Sequence, residues 1–225
     1  MKIARALLPA FVVATLALSP AGAHWLGEKG KEGKGHEGNH KGEAEGGEQK
    51  PVEEITDEEK ARAYFTDLTL LDQEGREVRF YSDVLKDRVV LITFFYTDCG
   101  DACPLVMEKL KEVEAVIGTR MGEDIFFILI SVDPKNDTVE AIDKYREQYG
   151  VDDGWIFLTG RKKNLDQITY KLGQYKPTRE EHSTTLLLGN VREKRWAKVV
   201  PTLPSIAIST KLREMAGETG KSGVE

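Results

Sequence analysis

Residues that bind soft metals are scarce in this chain of 225 residues: cysteine occurs twice, as Cys99 and Cys103, and histidine four times. Two cysteines four positions apart make a poor structural staple. A bridge closing so short a loop stabilises by about 2 kcal/mol in the chain-entropy model, against about 4.7 kcal/mol for a hundred-residue loop. An excess of positive charge is also lacking. The net charge is −6, which argues against nucleic acid as a partner. No apolar run approaches the roughly 18 residues of a dedicated membrane-spanning helix, and no internal repeat is visible.

What is present begins with an export pattern. Lys2 and Arg5 form a short positive region, Ala6 to Leu18 an apolar core, and Ala21-Gly22-Ala23 a small-residue cleavage site. Residues 1–23 are therefore expected to be a signal peptide and the protein to be exported, to the bacterial periplasm or cell envelope. An uncleaved anchor is the alternative, and only then would the chain contact the membrane. Cleavage would leave His24 first, with no cysteine to take a lipid. Residues 24–52 are dominated by Gly, Glu and Lys, a composition that buries too little apolar surface to offset its ordering entropy. This linker holds His24, His36 and His40. They read as part of a solvated tether, or more sharply as a weak metal-collecting tail, because imidazole suits Cu, Zn and Ni.

Residues 53–216 are expected to form one α/β domain, followed by a flexible tail, 217–225. Thr56-x-x-Glu59 predicts a capping box and a short leading helix. Phe65–Leu71 and Val78–Tyr81 read as a hairpin around Gln73-Glu74-Gly75. Val89–Tyr96 and Ile125–Val132 are continuous β-branched and aromatic runs, suited to strands buried on both faces. Between them lies a helix from Pro104 to about Ile117, with Pro104 at its first position and Gly118 past its end. Asp137-x-x-Glu140 is expected to open the next helix, closed by Gly150. A short strand Trp155–Leu158 and a helix over Leu165, Ile168 and Leu172 follow. Thr184–Leu188 and Arg195–Val200 are expected to pair around a turn at Gly189-Asn190. A last helix covers Pro204–Met215. Strands alternating with helices, with hairpins at the edges, indicate the α/β class.

The chemistry concentrates at the turn between the first long strand and the helix that follows. A helix starting at or just after Cys103 sets unpaired N–H groups and the positive end of its dipole against sulfur, which favours thiolate. Two thiolates within reach chelate a soft ion or close a disulfide. Thiolates favour Cu(I), Zn and iron–sulfur clusters, whereas closed structural zinc needs four ligands. The folded part offers Cys99, Cys103 and one histidine, His182. Such a set fits Cu(I), or Cu(II) with a weaker fourth ligand, although carboxylates could complete a zinc site. His182 lies in the polar loop Lys176–His182, directly before a strand.

At this point the sequence resembles a known family. Phe95-Tyr96-Thr97-Asp98-Cys99-Gly100-Asp101-Ala102-Cys103-Pro104, then Ser131-Val132-Asp133-Pro134-Lys135-Asn136-Asp137-Thr138, then His182-Ser183 are similar to motifs of the SCO/SenC family of exported copper proteins. The resemblance covers roughly residues 65–209. It implies a thioredoxin-like fold, here with an N-terminal β-hairpin extension and an inserted hairpin near the C-terminus. It places copper on Cys99, Cys103 and His182. It implies delivery of copper to a receiving protein, a cytochrome c oxidase subunit, for assembly of that enzyme's copper centre; some members instead reduce the target's thiols. The family usually has proline directly after the first cysteine, where this chain has Gly100. Asp133, Pro134 and Asp137 read as structural, in a turn and a helix cap.

A copper chaperone needs all three residues. A thiol–disulfide oxidoreductase, the main alternative, needs the cysteines alone, and its usual spacing is C-x-x-C. A third reading is a peroxidase, with Cys99 attacking and Cys103 resolving.

Overall fold

The computed structural model of the chain describes residues 56–217 apart from residue 152. The expected signal peptide, the linker with His24, His36 and His40, and most of the C-terminal tail lie outside the described residues.

Helix α1, Asp57–Phe65, opens with the expected capping box: the Thr56 hydroxyl accepts from the Glu59 N–H, and the Glu59 carboxylate accepts from the Thr56 N–H. The helix runs further than the alternation around Phe65 implied. Phe65 ends it and packs on Trp196, with ring centroids 5.2 Å apart, so its burial comes from the helix and not from a strand. The hairpin is correspondingly short: β1 is Thr69–Leu71 and β2 Glu77–Arg79, antiparallel. Phe80 and Tyr81, expected to continue the second strand, begin instead a single wide helical turn, Phe80–Leu85.

The central sheet has the order β5-β4-β3-β6-β7. Its members are β3 (Val89–Phe95), β4 (Ile125–Ser131), β5 (Trp155–Leu158), β6 (Leu186–Asn190) and β7 (Arg195–Val199). β3, β4 and β5 run parallel, as a β-α-β unit demands, while β6 and β7 are antiparallel additions. Every residue of β3 is buried. Alternation sends Val89, Leu91 and Phe95 to one face and Val90, Ile92 and Phe94 to the other. Helices α2 (Ala102–Ile117), α3 (Val139–Tyr149) and α5 (Ser205–Met215) cover the first face; α1, the wide turn and α4 (Lys162–Lys171) cover the second. A fully buried side chain of this size stabilises by about 1.5–3 kcal/mol. β3 is thus held firmly from both sides, and it delivers the cysteine turn at its C-terminal end.

Three boundaries differ from expectation for local reasons. α2 starts at Ala102, so Pro104 is its third residue; first-turn N–H groups have no helical partner, and proline costs nothing there. Thr138, not Asp137, caps α3 by accepting from the Ala141 N–H at 3.3 Å. Gly189 and Asn190 are strand residues, and the turn falls after them. A Cβ on Gly189 would lie 2.4 Å from the Trp196 ring, so glycine serves here to seat an indole. Asn190 is pinned by donating to the Met215 carbonyl and accepting from the Glu193 N–H.

Candidate metal centre

β3 ends at Phe95, and the chain turns back at once: the Cys99 N–H donates to the Tyr96 carbonyl at 3.2 Å. Cys99 precedes α2, and Cys103 is its second residue. The two form a disulfide with their Cα atoms 5.8 Å apart. The Cys103 N–H also points at the Cys99 sulfur, 3.3 Å away. No acidic residue stands in the first turn of α2, and the N-cap Asp101 makes no side-chain capping bond, so the positive end of the helix dipole is left to act on the sulfurs. Both cysteines are buried, at 8% and 3% exposure. Gly100 is exposed, and a side chain there would meet nothing within 4 Å, so sterics do not demand glycine.

His182, distant in sequence, arrives from the loop before β6. It follows the short helical turn Arg179–Glu181, and its Nδ1 lies 2.7 Å from the Arg179 carbonyl. A carbonyl only accepts, so Nδ1 carries the proton and Nε2 of the neutral ring keeps its lone pair. That Nε2 faces Cys103 Sγ at 3.7 Å. The two sulfurs and one ring nitrogen all lie within 4.8 Å of one another. The structure thus brings Cys99, Cys103 and His182 together as expected. The donor set suits a soft ion: two sulfurs, plus an imidazole whose far nitrogen is fixed by a backbone carbonyl, the arrangement that orients ligating histidines.

Residues that sequence reasoning left as structural or passed over hold this constellation. The Arg179 guanidinium pairs with Asp133 and Glu180 and lies 4.8 Å from the centroid of the Tyr96 ring. Tyr96 in turn meets the His182 ring edge-on, with centroids 5.3 Å apart. Glu180 and Asp133 push the Arg179 guanidinium still further up from its already high range. Asp137 is buried and does not cap α3. It accepts from the Thr97 N–H and hydroxyl, each at 2.8 Å, and from the Ser131 hydroxyl. Burial pushes its carboxyl up, against the pull of those hydrogen bonds. Asp137 ties down the cysteine turn, and Asp133, through Arg179, the histidine loop, both from the segment after β4. A polar residue beside others in a loop carries no periodic signal. The sole sequence hint was that Asp133 and Asp137 sit in a motif shared with the resembling family.

Residues 56–216, most of the chain, match the SCO1/SenC family. The chain belongs to the SCO1/SenC family. An SCO2-like protein of Rickettsia conorii is 35% identical over 105 residues, which is 47% of this chain and 49% of that protein. The chain therefore spans about half the length of the curated relatives it matches. Among solved structures, copper-bound ScoI of Bradyrhizobium japonicum is 26% identical with a TM-score of 0.55, covering 65% of this chain and 96% of that one. BsSco, described with a disulfide switch and as a member of the Sco family of cytochrome c oxidase assembly proteins, is 23% identical with a TM-score of 0.57, covering 66% and 91%. The expected thioredoxin-like α/β fold of SCO1/SenC proteins, with its leading hairpin and the added β6–β7 pair, is the fold observed.

Proposed function

We propose that this SCO1/SenC protein is an exported copper chaperone that holds copper on Cys99, Cys103 and His182 and passes it on for assembly of the copper centre of cytochrome c oxidase. The observation that carries the reading is His182. Dithiol exchange requires only the cysteines, whereas here the Nε2 of an imidazole from a remote loop is aimed at the sulfurs with its other nitrogen tethered. The copper bound to the Bradyrhizobium relative and the assembly role given for BsSco support cargo and destination.

The chain's own chemistry then divides into two states. In the disulfide state the sulfurs are bonded to each other and offer no thiolate pair. A dithiol reductant supplies two electrons and two protons, the S–S bond breaks, and the reductant leaves as its own disulfide. The cysteines lose their protons when they take up metal. The α2 dipole favours the negative sulfurs, and the Arg179 carbonyl holds the imidazole proton away from the metal side. Leu105, 75% exposed in the first turn of α2, offers an apolar contact to a receiving protein.

The test is metal analysis of the reduced protein, expressed with its N-terminal segment, as wild type and as Cys99→Ser, Cys103→Ser and His182→Ala. One copper per chain in the wild type, strongly reduced in each variant, supports the reading. Unchanged copper in His182→Ala, together with turnover on a disulfide substrate, gives the oxidoreductase reading instead.

A further inference from the structure

A second recess lies away from the cysteines. β6 pairs with β3 so that Leu187 faces Ile92 and Asn190 faces Val89. The strip from Leu187 to Val191 therefore sits toward the start of β3, while the cysteine turn follows its end. Over this strip, between α1, the end of α4 and β7, is a cavity of about 600 Å³. That volume is typical of small-molecule sites, which are mostly apolar with a few placed polar groups. Its floor and walls include Phe65, Leu172, Leu187, Val191 and Trp196. Tyr64 and Trp196 remain 58% and 37% exposed, large aromatic surface left in water. Gly189 makes room for that Trp196 ring.

Charge decides what would fill it. The protein is acidic overall, at −6, yet this cavity is lined by Lys60, Lys171, Lys194 and Lys198 and by a single acid, Asp57. Asp57 is engaged by Lys60 and Lys194. Among the described residues, Lys171 and Lys198 have no carboxylate within ion-pair distance. Lys198 reaches over the end of α4, near Gly173. The unpaired positive charge is therefore gathered at one end of an apolar slot.

We propose that this cavity binds a free long-chain carboxylate, its apolar chain along Leu187, Phe65 and Trp196 and its headgroup at Lys171 and Lys198. The site shares no residue with the cysteine–histidine centre, so the proposal stands apart from copper handling.

The test is calorimetric titration of the full chain with dodecanoate, with dodecyltrimethylammonium as a probe of equal chain length and opposite charge. Saturable one-to-one binding of dodecanoate is expected, with the cation bound at least about tenfold more weakly. Lys171→Glu/Lys198→Glu, a change at the protein surface, is expected to weaken dodecanoate by about tenfold or more, and Trp196→Ala to weaken both probes. Absence of saturable dodecanoate binding, equal binding of the two probes, or binding unchanged in the double lysine variant would overturn the proposal. So would co-sedimentation with phosphatidylglycerol vesicles without dodecanoate binding, which would make the lysines a membrane-facing patch.

Discussion

The backbone carbonyl of Arg179 accepts the Nδ1 proton of His182 at 2.7 Å, while the Arg179 side chain is anchored to Asp133. One residue thus fixes both the tautomer of the imidazole and the place of the loop that carries it. Arg179→Ala leaves the carbonyl but frees the loop. Copper affinity, read by competition with a chromophoric chelator, is expected to fall by about tenfold, the lower end for partners that orient metal ligands. Arg179→Lys keeps the charge beside Asp133 but loses the guanidinium over the Tyr96 ring, and is expected to fall between. Wild-type affinity in Arg179→Ala would show that the loop is held by other contacts.

Asp137 gives a pH signature. Burial raises its carboxyl above the ordinary value of 3.8 in the folded protein, so the folded state binds this proton more tightly than the unfolded state. Its contribution is fully present below the ordinary value and is lost as pH rises through the folded one. Asp137→Asn removes the titration while keeping an acceptor for Thr97. Relative to that variant, wild type is expected to lose stability as pH is raised from below 4 toward neutrality, measured by thermal unfolding. Parallel curves for the two proteins would contradict this.

Gly154 separates folding from the site. Its φ is +81°, and a Cβ there would lie 2.6 Å from the backbone nitrogen of Gly122. Gly154→Ala is expected to cost about 1–3 kcal/mol in denaturant unfolding, with copper stoichiometry unchanged.

Leu105 tests the outlet. Leu105→Ser, at an exposed position, is expected to leave stability within about 0.5 kcal/mol and copper affinity as in wild type, while slowing copper transfer to a purified copper-accepting oxidase fragment. Equal transfer rates would remove Leu105 from the contact surface.

The sequence made the scaffold readable where burial is strongest. β3 and β4 are apolar runs with both faces covered, and α2 shows its apolar stripe at helical spacing. It misled where one distant contact decides. Phe65 looked like strand because its helix is short and its partner, Trp196, is 131 positions away. Gly189-Asn190 looked like a turn because glycine and asparagine usually make turns, whereas here one admits an indole and the other bonds to Met215. The candidate site was legible through scarcity, since few residues of the right chemistry exist to choose from. Arg179, Tyr96 and the role of Asp137 were not, because such residues in loops look alike whether solvated or fastened to a site.

X-ray absorption at the copper edge of the reduced, copper-loaded protein bears most directly on the central claim. Two sulfur scatterers and one imidazole are expected in the wild type, with the imidazole signal lost in His182→Ala and both sulfurs retained. A copper environment of nitrogen and oxygen only, or an imidazole signal that survives in His182→Ala, would contradict that claim.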